Sequence, residues 1–289
     1  MKKYIAALLT ALLLLCTALS AGAVGPALTT TEAYCIIDAD TGLVLAQQNM
    51  NEELHPASIT KVMTLGLACQ KAQGNWDGVK LTVSHEDVYS LAGTDSSHIA
   101  LQEGEEVPLT DALYATMMAS ANDGANLLAE YFGGGSIEGG VAAMNAQAKE
   151  LGLEHTHFAN PHGLPKDDHY TTAHDLYRIT KEALSHELFA TICNTVKHTV
   201  PATNMSEERT LSNTNGLINP DSPMYRGYYY EYAKGVKTGH TDAAGYCLIS
   251  TAEKDGVRLL CIVLGGKGTA RANGTTDFGS FSDTLTAYR

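Results

Sequence analysis

The stretch Gly235–Leu264, GVKTGHTDAAGYCLISTAEKDGVRLLCIVL, reads as three strands in succession. Gly235–Thr238, Gly245–Ala252 and Arg258–Leu264 are short runs rich in Val, Ile, Leu and Thr. The last two meet at Asp255-Gly256, a dipeptide suited to a tight hairpin. Working outward, Thr210–Ser212 reads as a further strand. Towards the other end of the chain, Ala33–Asp38 and Leu43–Gln47 form a strand pair joined by the turn-rich Asp38-Ala-Asp-Thr-Gly42. Everything between is helical in character. Pro56 precedes a helix over Ser58–Ala72, and Thr110-Asp111 opens another. Asn122–Tyr131, Ile137–Leu151 and Thr172–Leu184 continue the pattern, with His155–Tyr170 as loop. Strands at both ends of the chain and helices in its middle predict an α/β (α+β) fold. One antiparallel sheet is built from both termini, a helical lobe is inserted over about residues 56–200, and a site lies at the seam.

Three short words fall in places suited to that seam. Ser58-Ile-Thr-Lys61 sits at a helix start, so the serine and lysine, three residues apart, project from one face. Free N–H groups at a helix start favour an oxyanion nearby. A lysine becomes a base for a serine hydroxyl once burial or a neighbouring cation makes its amine neutral. In isolation the same word is an N-capping serine and a solvated lysine. Ser120-Ala-Asn122 lies at a break between helices, where a short loop aims a hydroxyl and an amide into a cleft; alone it is ordinary turn chemistry ahead of Asp123-Gly124. Lys237-Thr-Gly239 closes an apolar strand. There Lys237 places positive charge beside the nucleophile and Thr238 binds a carboxylate. Gly239 leaves the strand edge open to a peptide. The three words in this order form the motif set of penicillin-interacting serine enzymes.

The chain resembles the D-alanyl-D-alanine carboxypeptidases, the low-molecular-mass penicillin-binding proteins. The resemblance is carried by His55-Pro-Ala-Ser-Ile-Thr-Lys61-Val-Met-Thr64, by Asn160-Pro-His-Gly-Leu164 with His169-Tyr-Thr-Thr-Ala173, and by Lys237-Thr-Gly-His-Thr-Asp-Ala-Ala-Gly245. It runs from about Ala33 to Gly266. It implies a β-lactamase/transpeptidase-like fold, Ser58 as acylated nucleophile and Lys61 as its base. Ser120 and Asn122 become the second catalytic element, and Lys237 and Thr238 hold the substrate's terminal carboxylate. The backbone N–H groups of Ser58 and His240 form the oxyanion hole. The implied substrate is the D-Ala-D-Ala end of a peptidoglycan stem peptide, with β-lactams as covalent inhibitors. Two departures stand out. Thr214 replaces the arginine that some relatives carry in the Asn-x-Asn-Gly-Leu stretch, and a tyrosine-rich segment, Tyr225–Tyr232, precedes the active-site strand, either shaping the cleft or covering it. Many relatives add a small β-domain and an amphipathic membrane helix. Neither is expected after Tyr288, so no stable membrane anchor is expected.

Rival readings are a β-lactamase or a D,D-endopeptidase on the same fold, or a non-catalytic penicillin-binding sensor or wall-binding protein. The Glu-x-x-Leu-Asn word of class A β-lactamases is absent from the sequence. The intact triad argues against the non-catalytic reading, and carboxypeptidase against endopeptidase stays open.

The first residues carry export chemistry: Lys2 and Lys3, an apolar run from Ile5 to Leu15, then Ala21-Gly-Ala23 as a small-x-small cleavage site. The expectation is a signal peptide over 1–23 and one penicillin-binding domain over 24–289, acting at the extracellular or cell-wall/periplasmic face. A net charge of −13 argues against nucleic acid as a partner. Cys35, Cys69, Cys193, Cys247 and Cys261 are expected as buried thiols, with Cys247 and Cys261 placed to face each other across the last hairpin. His155, His157, His169 and His174 lack metal-binding spacing, so neither metal nor cofactor is expected.

Overall fold

The computed structural model describes residues 28–76 and 78–289. The expected signal peptide lies outside the described residues. Strands β1 (Ala33–Asp38) and β2 (Val44–Gln48) are followed by a 3₁₀ turn, Ala57–Thr60, that runs directly into helix α1 (Lys61–Ala72). The helical lobe continues with β3 (Lys80–Thr82), α2 (His85–Tyr89), β4 (Glu106–Pro108), α3 (Leu109–Met118), α4 (Asn122–Phe132), α5 (Ile137–Glu150), α6 (Ala173–Leu184) and α7 (Glu187–Cys193). A ribbon of β5 (Lys197–Val200) and β6 (Arg209–Ser212) follows. The chain then returns as β7 (Ala233–Thr241), β8 (Gly245–Lys254) and β9 (Val257–Gly266), a small β10–β11 ribbon (Gly268–Ala270 and Thr276–Phe278) and helix α8 (Gly279–Tyr288).

Five strands form one antiparallel sheet in the order β2-β1-β9-β8-β7, so both ends of the chain build it, as the alternation of strand and helix predicts. The β8–β9 hairpin turns on Asp255-Gly256, both at positive φ, the geometry that this dipeptide favours. Both faces of the sheet are covered, which is why β1 reads as an unbroken apolar run rather than an alternation. Ala33, Cys35, Ile37, Ile249, Leu260, Ile262 and Leu264 pack against the helical lobe. Tyr34, Ile36, Leu248, Cys261 and Val263 face a second core closed by Phe281 and Tyr288 of α8. Helix α1 is exposed only at Gln70 and Lys71 near its end, and it touches α3, α4, α5, α6 and α7.

Several local expectations change. The active-site strand is longer than Gly235–Thr238, and the Ser58 helix begins as a 3₁₀ turn. The strand at 210–212 forms, yet it pairs with β5 in its own ribbon instead of joining the main sheet. Cys247 and Cys261 do not face each other. Cys261 lies opposite Ser250, and the two thiols occupy opposite faces of the sheet. The five cysteines among the described residues are free and buried. The tyrosine-rich segment packs into the second core, on the face of the sheet away from the helical lobe: the Tyr225 ring sits 4.8 Å from Phe281, and the Tyr228 hydroxyl donates to Asp277 Oδ1 at 2.9 Å. No helix among the described residues is long and apolar enough to cross a membrane.

Candidate active site

The turn Ala57–Thr60 holds Ser58 half-exposed at the front of the buried helix α1. One turn on, Lys61 is fully buried. Its Nζ lies 2.9 Å from Ser58 Oγ, 2.6 Å from Asn122 Oδ1 and 2.9 Å from the His162 carbonyl oxygen. Two of these neighbours, the amide oxygen and the carbonyl, can only accept. A neutral amine has two N–H groups and one lone pair, so both N–H groups are taken and the lone pair is left facing the serine hydroxyl. Burial, reinforced by the Lys237 charge and opposed by Asp123, holds Lys61 well below the ordinary lysine range, favouring that neutral form.

Lys237 projects from β7 and is also buried. Its Nζ donates to Ser120 Oγ at 3.0 Å and to the Thr238 carbonyl oxygen at 2.8 Å. Burial brings its pKa down to about 7. Ser120 sits between α3 and α4 at φ 58°, a left-handed conformation costing a non-glycine residue of order 1 kcal/mol. The conformation is held by the two residues that follow. Ala121 N–H donates to the Ala115 carbonyl, and Asn122 N–H donates to the Ser97 carbonyl at 2.8 Å. Ser120 therefore faces the strand lysine while Asn122, two residues on, faces the helix lysine.

β7 is the outermost strand of the sheet, and its free edge has no strand partner among the described residues. Gly239 packs over the serine turn: a Cβ there would stand 3.0 Å from Ser58 N and 3.1 Å from Ile59 N. Glycine keeps the space above the Ser58 N–H open. His240 follows at the strand end, with its side chain turned outward onto Tyr246 at 4.2 Å, so only its backbone faces the turn region. Thr238 Oγ1 and Thr214 Oγ1 share a hydrogen bond at 2.8 Å.

All eight residues singled out from sequence thus gather at one seam between sheet and helical lobe. Two contributors were not assigned there. The first is the His162 carbonyl. The segment Asn160-Pro-His-Gly-Leu164 is a self-bonded loop: Gly163 N–H donates to Asn160 Oδ1 at 2.6 Å, and Asn160 Nδ2 donates to the Leu164 carbonyl at 2.8 Å. Thr64 Oγ1 donates to the Pro161 carbonyl at 2.6 Å, tying the loop to α1. Gly163, at φ +95°, lies so close to Ala57 that any Cβ would overlap its carbonyl oxygen. The second is Thr214, noted in sequence only as a departure. The histidines serve this scaffold. His169 Nδ1 accepts from Ala159 N–H at 3.0 Å, so its Nε2–H donates to Thr60 Oγ1 at 2.8 Å, and burial keeps the ring neutral with a pKa of about 4.

The comparisons with known proteins agree with one another. The family profile described as D-alanyl-D-alanine carboxypeptidase matches residues 21–268. The D-alanyl-D-alanine carboxypeptidase DacF of Bacillus subtilis is 35% identical over 92% of the chain. DacA of Escherichia coli is 32% identical over 82% of it. The chain spans 66% of the length of the first and 56% of the second. The crystal structure of the Streptomyces K15 DD-transpeptidase superposes with a TM-score of 0.79 at 26% identity, covering 91% of this chain and 97% of that one.

Proposed function

Because the chain belongs to the D-alanyl-D-alanine carboxypeptidase family, we propose that it removes the terminal residue from peptidoglycan stem peptides ending in D-Ala-D-Ala. The observation that carries this reading is the buried Lys61 amine, whose Nζ lies 2.9 Å from Ser58 Oγ while Asn122 Oδ1 and the His162 carbonyl hold it at 2.6 and 2.9 Å. Ser58 Oγ attacks the carbonyl carbon of the penultimate D-Ala while its proton passes to Lys61 Nζ. The resulting oxyanion is stabilised by the Ser58 and His240 N–H groups beneath the cleared face of Gly239. Ser120, hydrogen-bonded to Lys237, delivers its proton to the leaving amine and is reprotonated by the proton held on Lys61, and the C–N bond breaks to release D-Ala. Water then hydrolyses the Ser58 ester. Lys237 and Thr238, backed by Thr214, bind the terminal carboxylate, and the substrate backbone lies along the free edge of β7.

The same reading has the chain exported by residues 1–23, with residues 24–289 acting as one penicillin-binding domain at the wall face of the membrane. β-Lactams, which mimic the scissile amide, form a stable ester with Ser58. Incubation with benzylpenicillin followed by peptide mapping is expected to place a single adduct on Ser58, and Ser58→Ala is expected to abolish both the adduct and D-Ala release from a pentapeptide. An adduct on another residue, or none, overturns the assignment. Release of a larger fragment from cross-linked dimers in place of D-Ala would shift the reading to a D,D-endopeptidase.

A further inference from the structure

The loop Ser97–Leu101 crosses the start of α4, and two adjacent residues of that helix hold it there. Asn122 N–H donates to the Ser97 carbonyl at 2.8 Å. The next side chain, Asp123, is buried and takes the other end of the loop. Leu101 N–H donates to its Oδ2 at 3.0 Å, and Ile99 N–H reaches Oδ1 and Oδ2 at 3.3 and 3.2 Å. Gly124 N–H, in the first turn of the same helix, donates to Oδ1 at 2.9 Å. Between the two loop donors stands Ala100 at φ 58°, a left-handed conformation that a residue with a Cβ keeps only where its surroundings hold it. That conformation brings the N–H groups on either side of Ala100 onto one carboxylate. Its own carbonyl accepts from Arg209 Nη2 at 3.3 Å, so the strained residue is held from both faces.

We propose that Asp123 is a positioning residue for acylation: it holds Asn122 at the Lys61 amine by way of the Ser97–Leu101 loop, and it stands as the buried countercharge to the lysines of the cleft. This rests on the reading of Lys61 as the base for Ser58. Asn122 Oδ1 is 2.6 Å from Lys61 Nζ, so whatever fixes residue 122 also fixes an acceptor of the base. The titratable groups around Lys61 come from three elements. Lys237 of β7 favours the neutral amine, and Asp123 of α4 opposes it. His162, in the loop that supplies the carbonyl, is kept neutral by burial and by the Lys61 charge. Asp87 of α2 faces Asp123 in turn; burial, with the charges of Glu130 and Asp123, pushes its carboxyl up to about 7. The countercharge has a purpose in general base catalysis. A buried amine with no support for its positive form has too little affinity to take the serine proton, and one supported too well never sheds its own. A carboxylate placed one residue beyond the acceptor of the base lies between those limits.

The test is the pH dependence of benzylpenicillin acylation at Ser58. Asp123→Asn keeps the shape and removes the charge. Its rising limb is expected about one pH unit below that of the unaltered protein, because Lys61 has lost the charge that opposes its neutral form. Its plateau is expected about tenfold lower, because Asn122 is held less firmly. Ala100→Gly relieves the left-handed backbone without touching any charge. Alone it is expected to leave the limb in place; added to Asp123→Asn it is expected to recover thermal stability but not the limb. Should Asp123→Asn not fold, the double variant carries the same readout. An unmoved limb means that the carboxylate only braces the loop, and an unchanged plateau means that Asn122 does not depend on it; either overturns the proposal. So does a limb that returns when Ala100→Gly is added. The nucleophile reading fails separately, if benzylpenicillin does not acylate Ser58 of the unaltered protein. Normal acylation there with an unmoved limb in the variants strikes only the Asp123 assignment.

Discussion

The two walls of the cleft each bury a lysine, and their surroundings separate what the two can do. On the helical wall, Lys61 meets two obligate acceptors and one hydroxyl, supplied by three segments distant in sequence. That set fits a neutral amine with its lone pair aimed at Ser58. On the strand wall, Lys237 meets one hydroxyl and a carbonyl from its own strand, which leaves capacity for an anion arriving along the edge. Burial lowers both lysines, and the Lys237 charge lowers Lys61 further. The neighbours decide which becomes a base and which a carboxylate receptor.

The largest way to break this contrast is Lys61→Ala. Acylation by benzylpenicillin is expected to fall about 10³-fold, the range of a positioned general base, with the fold retained. In the unaltered protein the rate is expected to rise with pH as Lys61 loses its proton, levelling well below the free-lysine range; the variant loses this limb. Stopped-flow acylation across pH checks both, and a near-normal rate in the variant would make the two lysines equivalent. On the other wall, kcat/KM for a free-acid peptide is expected to fall as pH rises through about 7, where unliganded Lys237 loses its charge.

Lys237→Met tests whether the strand lysine is kept for function rather than stability. Its folded-state pKa lies below the unfolded value of 10.5, so the folded form binds fewer protons between about pH 7 and 10.5. Stability therefore rises with pH across that window, and the cost of burial is fully present below it. Removing the amine is expected to stabilise the fold by about 2 kcal/mol at pH 6, after allowing for the hydrogen bonds lost. Chemical denaturation at pH 6 and pH 10 measures this; a destabilised variant at both pH values would mean that the lysine is structural. Smaller effects sharpen the carboxylate assignment. The amide of a D-Ala-D-Ala peptide is expected to react about tenfold more slowly than the acid, and Thr238→Val to remove most of that difference. Thr214→Val leaves the Thr238 hydroxyl without its partner and is expected to raise KM about threefold with kcat unchanged. Steady-state kinetics on the acid and amide pair resolves both; a kcat effect from Thr214→Val would place it nearer the reacting atoms.

The same contrast marks what was legible in the sequence. The three words announce themselves because they are side-chain chemistry at short spacing, and the strands of the main sheet because their apolar runs are bounded by turns. The His162 carbonyl carries no such mark, since every residue has one; only the loop closed by Asn160 and Gly163 aims it. Helix α8 was hidden for another reason. Gly279-Ser-Phe-Ser-Asp-Thr-Leu-Thr-Ala-Tyr288 is rich in poor helix formers, and it is helical because Phe281 and Tyr288 pack on the outer face of the sheet. The strand at 210–212 was visible as a strand, but nothing local names its partner, and pairing with β5 is a tertiary choice.

The loop that holds Lys61 has a consequence for how the chain acquires its chemistry. The bonds that tune the two lysines span 61, 101 and 117 residues of sequence. Such long-range closures form late, after their entropic cost has been met by the surrounding packing. A chain that has made its helices and its β8–β9 hairpin, but not yet docked Asn160–Leu164 against α1, has every catalytic side chain and no base. Reactivity at Ser58 then counts only molecules that have finished folding. A fluorescent penicillin added at intervals during refolding is therefore expected to lag behind the return of helical circular dichroism, reading the last step of assembly rather than the first.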